Sequence, residues 1–281
     1  MSLILAVFLG LLRGLTEFLP VSGSGHLALA QNIFGIENIK ANHPFFDMLL
    51  YIGALISVSI VFRKDIRQIL KAVVRLFSKR YGKSREQEDE ADTYFSIRLL
   101  LLLAVAALPL LILIFVKDHI AILYGSTAFT GFALIVTGGL LYIGDRLLEG
   151  RRNERNAKLS GAFAVGLVQA VSVFPGLSRT GSTITSGILC DFDRSFAVKF
   201  SFLISIPVLL GAGIYSLVDA IELGINWRLV PIYMVGMAVE VLIGIVAIRI
   251  VRYLATHCRL GNISYYCWAI GIISIGLSFF I

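Results

Sequence analysis

Charge is scarce in this sequence. Lys, Arg, Asp and Glu make up 15% of its 281 residues, against about 25% in a typical soluble protein. Cysteine is scarcer still. Cys190, Cys258 and Cys267 are scattered among apolar residues without a CxxC spacing, which fits small buried hydrophobes rather than a disulfide framework or a thiolate metal centre. No soluble basic surface is visible, although 25 Lys+Arg face 18 Asp+Glu. Nucleic acid is therefore not an expected partner, and the excess points to anionic lipid headgroups and a sidedness signal. What fills the chain is hydrophobic: 57% is AVILMFWYC, 26 further residues are glycine, and the mean hydropathy is +0.86. That leaves no room for a separate water-soluble catalytic domain. The composition is that of an integral membrane protein.

The apolar run Leu3 to Leu12 lacks a basic region before it and a small-residue cleavage site after it, so it reads as mature structure rather than a signal peptide. A bilayer-crossing helix needs about 20 mostly apolar residues. Six segments qualify: 45–62, 99–116, 126–144, 199–218, 230–250 and 263–281. Two other apolar stretches are interrupted. Residues 3–34 contain Arg13, Glu17, Pro20, a Ser22-Gly23-Ser24-Gly25 run and His26, and residues 161–190 contain Pro175-Gly176 and Ser178-Arg179-Thr180-Gly181. Irregular backbone at membrane depth survives only inside protein or beside a wet cavity. Both stretches are expected to be re-entrant helix–loop–helix hairpins.

The two stretches also match each other at an offset of 156. Gly10 to Thr16 lies over Gly166 to Ser172, Phe18 over Phe174, Val21-Ser22 over Leu177-Ser178, and Gly25 over Gly181. Each half is then one hairpin followed by three spans: 1–145, with an amphipathic helix at 64–78, and 160–281. Three crossings are an odd number, so the second half begins on the opposite side. The expected fold is all-α, with six transmembrane helices and two re-entrant hairpins in an inverted-topology repeat forming one membrane domain. Such repeats tend to place their site near the midplane.

The charges bear on topology independently. One face carries only Lys40, Lys117 and Arg228, whereas the other carries twenty Lys/Arg, ten of them between Arg63 and Arg98. Positive-inside bias makes the rich face cytoplasmic. Both termini are then outside a bacterial plasma membrane, and the first hairpin opens outward. Lys64, Arg67, Lys71 and Arg75 recur at helical spacing among Ile66, Ile69, Leu70, Val73, Val74 and Phe77. That pattern suits an interfacial helix on anionic lipid. The mixed-charge run Lys79 to Asp92 reads as a solvated loop. Association into a homodimer is left open by the sequence.

Ionisable residues inside a membrane are functional candidates by default. The hairpins supply Arg13, Glu17, His26 and Arg179, ringed by Ser22, Ser24, Ser178, Thr180, Ser182 and Thr183. Guanidiniums and hydroxyls suit an anion, above all phosphate, which Arg179 could grip with a planar fork. A half-helix beginning near Ser182 would add free N–H groups and a positive dipole end. Glu17 could ligate a divalent ion or orient His26, and His26 could act as nucleophile or general acid/base. Duller roles exist for each. Arg13 and Glu17 stand at i, i+4 and could simply neutralise each other, and the serines could be helix caps.

At these residues the chain resembles the undecaprenyl-pyrophosphate phosphatases of the bacitracin-resistance type. The resemblance rests on Glu17-Phe18-Leu19-Pro20-Val21-Ser22 with Gly25-His26, and on Pro175-Gly176-Leu177-Ser178-Arg179-Thr180-Gly181-Ser182-Thr183. It covers essentially the whole chain. It implies removal of the terminal phosphate from a C55 polyprenyl diphosphate, with a divalent cation (Mg or Ca) assisting, to recycle the lipid carrier of cell-wall synthesis. Carried over, Glu17 would bind metal or act as base, and His26 would be nucleophile or proton donor. Arg179, Ser178 and Thr183 would hold the diphosphate. Three positions depart from the family pattern: Arg13 replaces Glu or Gln, Gly23 replaces a serine, and Thr180 replaces a serine. A cation at position 13 could stand in for part of a metal's charge, or could pair with Glu17. A non-hydrolytic flippase or transporter of the lipid phosphate is the competing reading.

Overall fold

The computed structural model describes residues 1–36, 38–77, 87–112, 120, 122–146, 150–257 and 259–280. Among them the only β pairing is an isolated bridge between Arg152 and Phe192, and helices account for nearly everything else. In chain order these are α1 (Leu3–Thr16), α2 (Gly23–Phe34), the short α3 (Ile39–Asn42), α4 (Pro44–Val61), α5 (Arg63–Phe77) and α6 (Gln87–Ala107). Then come α7 (Thr127–Arg146), α8 (Leu159–Val171), α9 (Arg179–Leu189), α10 (Arg194–Leu223), α11 (Val230–His257) and α12 (Asn262–Leu277).

Five helical segments are long and apolar enough to cross a membrane: Pro44–Val61, Tyr94–Ile112, Thr127–Arg146, Arg194–Leu223 and Trp227–His257. They coincide with five of the six expected spans, the end of the second (113–116) lying outside the described residues. The sixth expected span, 263–281, is a 16-residue helix followed by a turn at Ser278–Phe280. At 1.5 Å per residue that helix alone falls short of a full hydrocarbon core. The expected loop Lys79 to Asp92 needs correction. Residues 78–86 lie outside the described residues, but α6 already begins at Gln87. Glu88, Glu90 and Ala91 are good helix formers, and their propensity outweighs their polarity. The amphipathic helix expected at 64–78 corresponds to α5, Arg63–Phe77, residue 78 lying outside the described residues.

Polarity is distributed as lipid demands. Ile4 is 83% exposed and Ile214 61%, whereas Arg13 is 6% exposed and Glu240 not at all. Helices meet through small residues, the usual route to close packing where no water drives association. Gly10 and Gly14 of α1 lie directly on the backbone of Gly236 and Glu240 in α11, and Gly166 of α8 lies on Ala106 of α6. Gly131 of α7 and Gly271 of α12 face each other, each 2.7 Å from the other's carbonyl oxygen once a Cβ is built on it. The largest pairings are α7 with α12, α1 with α11, and α4 with α10 and α11.

Other charged groups pair outside the broken stretches. Arg194 pairs with Asp145 at 3.1 Å, and Lys199 with Asp65 at 2.6 Å. In the turn after α9, Asp191 accepts from the Arg151 N–H at 3.1 Å and from Arg152 Nε at 2.8 Å. These contacts hold its carboxyl below the usual aspartate range.

Both interrupted stretches do break. α1 runs into Pro20, and the chain turns at Ser22 with φ 71° before α2 begins. α8 ends ahead of Pro175-Gly176, with Gly176 at φ 95°, before α9 begins. The two breaks touch: a Cβ at Gly25 would lie 2.8 Å from both the Cα and the N of Gly176. Gly25→Ala should therefore destabilise the fold by about 1–3 kcal/mol, the usual cost of overpacking. Thermal unfolding in detergent would show this as a lowered midpoint, and an unchanged midpoint would mean the breaks are not pressed together.

Candidate active site

Buried hydroxyls spend themselves first on holding the two breaks in place. Ser22 Oγ accepts from the N–H of Gly25 (3.2 Å) and also from that of Gly176 (3.1 Å) on the other hairpin. The Ser22 carbonyl takes the His26 N–H and lies 2.9 Å from His26 Nδ1. A non-glycine residue at positive φ is costly unless its surroundings over-determine it, and here four contacts do. Ser178 Oγ caps α9 through the Gly181 N–H, and Thr137 of α7 braces the same turn through the Gly176 carbonyl and the Ser178 N–H. Thr183 donates to the Arg179 carbonyl at 2.7 Å and meets Ser201 Oγ at 2.5 Å.

Of the hydroxyls expected to ring a substrate, Ser22, Ser178 and Thr183 are thus engaged as caps and braces. Thr180 reaches the Glu17 carbonyl at 3.4 Å. Ser182 is buried in the first turn of α9 with its N–H on the Ser178 carbonyl. Ser24 is half-buried in the first turn of α2.

Charge pairing crosses the hairpins. Glu17 Oε1 accepts from Arg179 at 2.9 Å, across 162 residues of sequence. Its i, i+4 neighbour Arg13 is farther, with Nε 3.8 Å from Glu17 Oε2. Arg13 instead donates from Nη1 to Asp47 of α4 at 2.9 Å and lies over the Tyr51 ring at 4.1 Å. Asp47 also accepts from Ser216 of α10 at 2.7 Å. Glu240 of α11 is wholly buried, with both carboxyl oxygens unpartnered, and it faces this cluster across Gly14 and Gly53. Gly23 leaves room for Glu17: a Cβ there would come within 2.8 Å of Glu17 Oε2 and 2.9 Å of its Cα. A serine at that position would displace the carboxylate.

His26 sits one step along from the charges. With Nδ1 donating to the Ser22 carbonyl, Nε2 is left to accept from the Tyr266 hydroxyl at 2.8 Å, and the rings lie nearly parallel, 5.7 Å apart. Among the described residues no hydrogen bond or ion pair joins His26 directly to Glu17 or Arg179. The link is Ser22, which holds His26 through its carbonyl and the second hairpin through its hydroxyl.

Glu17 was expected to ligate a divalent cation, and the geometry does not fit one. A hard cation takes six or more oxygens. Here one Glu17 oxygen is on Arg179, both Asp47 oxygens are taken by Arg13 and Ser216, and the Arg13 guanidinium stands among the carboxylates. Among the described residues no three His, Cys, Asp or Glu side chains are grouped as a metal site.

Asp47, Tyr51, Ser216, Glu240 and Tyr266 were missed by the sequence reading. A signal did exist for two of them. Asp47 and Glu240 are carboxylates inside apolar spans, the same anomaly that singled out Glu17.

Apolar helices around a buried row of acids, guanidiniums and an imidazole define a multi-pass membrane protein with a buried polar cluster where its two broken stretches meet. The chain belongs to the bacitracin resistance protein BacA family, which it matches over residues 6–273. It is similar to proteins named undecaprenyl-diphosphatase from Alkaliphilus metalliredigens, 36% identical over 96% of each chain. It is also similar to those from Halothermothrix orenii and Methanosphaera stadtmanae, 35% and 34% identical over 99% of each chain.

Proposed function

We propose that this chain hydrolyses undecaprenyl diphosphate to the monophosphate and phosphate, recycling the lipid carrier of cell-wall synthesis. The observation that carries this reading is Arg179. It opens α9, reaches across to the first hairpin, and lies in a chain that aligns end to end with proteins named for that activity. Phosphoryl transfer demands positioning and charge neutralisation above all. Arg179 and the first turn of α9 supply both to a terminal phosphate. His26 Nε2 takes a proton from the attacking water, whose oxygen bonds to the terminal phosphorus. The bond from that phosphorus to the bridging oxygen breaks, and the bridging oxygen leaves with the prenyl monophosphate.

The direct test is phosphate release from farnesyl diphosphate by detergent-purified protein, with and without Mg²⁺ or Ca²⁺. Release supports hydrolysis. No release, with retained binding of the monophosphate lipid, would replace it with transport.

In the same reading the chain makes six crossings and two re-entrant hairpins, as an inverted repeat of 1–145 and 160–281. Gly10 and Gly166, equivalent at the offset of 156, support it. Each seats the first helix of its hairpin on the second span of the other half. The two first spans, α4 and α10, pair with each other, as do the two third spans, α7 and α12. The basic face lies in the cytoplasm of a bacterial plasma membrane, both termini lie outside, and α5 rests on anionic lipid. Exposure of Leu70 (59%) and Val74 (67%) on α5 supports that last contact. In a chain freed of its native cysteines, Lys40→Cys should react with an impermeant maleimide in intact cells, and Arg151→Cys only after permeabilisation. The reverse pattern would invert the orientation.

A further inference from the structure

The buried charges form a row that alternates in sign and opens at one end. Asp47, Arg13, Glu17 and Arg179 follow one another, with side-chain exposures of 3%, 6%, 13% and 15%. The closed end is anchored. Arg13 is held by Asp47 and lies over Tyr51, Asp47 is held in turn by Ser216, and Glu240 faces the same guanidinium from α11. The open end is Arg179, whose Nη2 already donates to Glu17 at 2.9 Å.

That occupation poses a problem for any phosphate arriving at Arg179. A phosphate forking onto Nη2 would compete with Glu17 for that nitrogen and would face Glu17 as a like charge. The row contains its own remedy. Arg13 Nε is buried without a hydrogen-bond acceptor and lies 3.8 Å from Glu17 Oε2. An unsatisfied buried donor beside a carboxylate is a vacancy that the carboxylate can fill at low cost. Shortening the gap to a charge-assisted hydrogen bond takes about 1 Å of side-chain movement.

Resting on the phosphate reading above, we propose that Arg13 is a positioning residue that receives Glu17 when a substrate phosphate claims Arg179. Glu17 is handed from the exposed guanidinium to the buried one, and Arg179 becomes free to fork onto phosphate oxygens. Arg13 thereby supplies, from within the chain, positive charge opposite Glu17. Without it Glu17 stays on Arg179 and acts as a competitive anion.

The experiment measures binding rather than turnover. A non-hydrolysable farnesyl methylenediphosphonate is titrated into detergent-purified protein by calorimetry. Arg13→Gln is combined with Asp47→Asn so that Asp47 does not lose its cation and the net charge of the row is kept. This double variant should bind the analogue about tenfold more weakly than wild type, within the range of coupling between contacting charges. Adding Glu17→Gln removes the competitor, and the triple variant should bind within about twofold of Glu17→Gln alone. If the loss persists in the triple variant, while melting temperatures match, Arg13 acts only structurally and the exchange is wrong. Equal binding by wild type and the double variant also overturns it. Arg179→Ala serves as the separate control: if it binds the analogue like wild type, the phosphate reading itself fails.

Discussion

Arg179→Ala should lower kcat/KM for phosphate release by about two to three orders of magnitude. The estimate follows from what the guanidinium does on both sides. It neutralises Glu17 at 2.9 Å in a site where both side chains are at least 85% buried, and it is the charged fork nearest the open end of the row. Removing one preorganised donor aimed at charge that develops in the transition state costs about 10²–10³ in rate. Loss of the fork adds a second effect, because Glu17, once unpaired, repels the phosphate it formerly yielded to. Arg179→Lys separates the two. It keeps the charge but not the planar, two-pronged geometry, so it should recover only part of the loss. The measurement is phosphate release from a prenyl diphosphate, with thermal unfolding to confirm that each variant is folded. Near-normal turnover by folded Arg179→Ala would remove this site from consideration.

His26→Ala should cost as much or more, on the order of 10²–10⁴ in kcat, the usual contribution of a positioned general acid or base. The ring's tautomer is set by the Ser22 carbonyl at Nδ1, which leaves Nε2 as the reactive nitrogen. Tyr266 holds that nitrogen at 2.8 Å, so the hydroxyl must yield to substrate or pass a proton on. Tyr266→Phe keeps the ring packing and removes only the hydroxyl, and its effect should be smaller, about tenfold. A pH profile discriminates further. Wild-type activity should fall on the acid side as Nε2 becomes protonated, and that limb should vanish from the residual activity of His26→Ala. Persistence of the limb would assign the proton chemistry to another group.

Much of this molecule could be read from residue order, because the relevant signals are local. An apolar run of about twenty residues has few alternatives to a spanning helix. Pro20 and Pro175-Gly176 interrupt such runs because proline lacks a donor and the glycine can adopt positive φ. An amphipathic helix at 64–78 follows from spacing alone, and α5 covers Arg63–Phe77. The charged segment at 87–92 was misjudged because polarity was weighed over helix propensity.

The pairing of charges was not legible in the same way. Arg13 and Glu17 stand one helical turn apart and look like each other's partners, yet their close contacts are with Asp47 and Arg179. In a helix the i, i+4 relation brings two side chains near, but whether they pair depends on stronger partners arriving from elsewhere in the fold.

The order of residues by itself determined a multi-pass helical membrane protein with two broken helices and a set of intramembrane ionisable groups, because hydrophobic length and helix breaking act over a few turns. Only the tertiary structure decided that the breaks press together at Gly25 and Gly176, that Ser22 bridges them, and that Asp47 and Glu240 join the cluster. Those outcomes depend on which helix faces which. That is settled by small residues such as Gly10 and Gly166 packing against backbones far away in the chain.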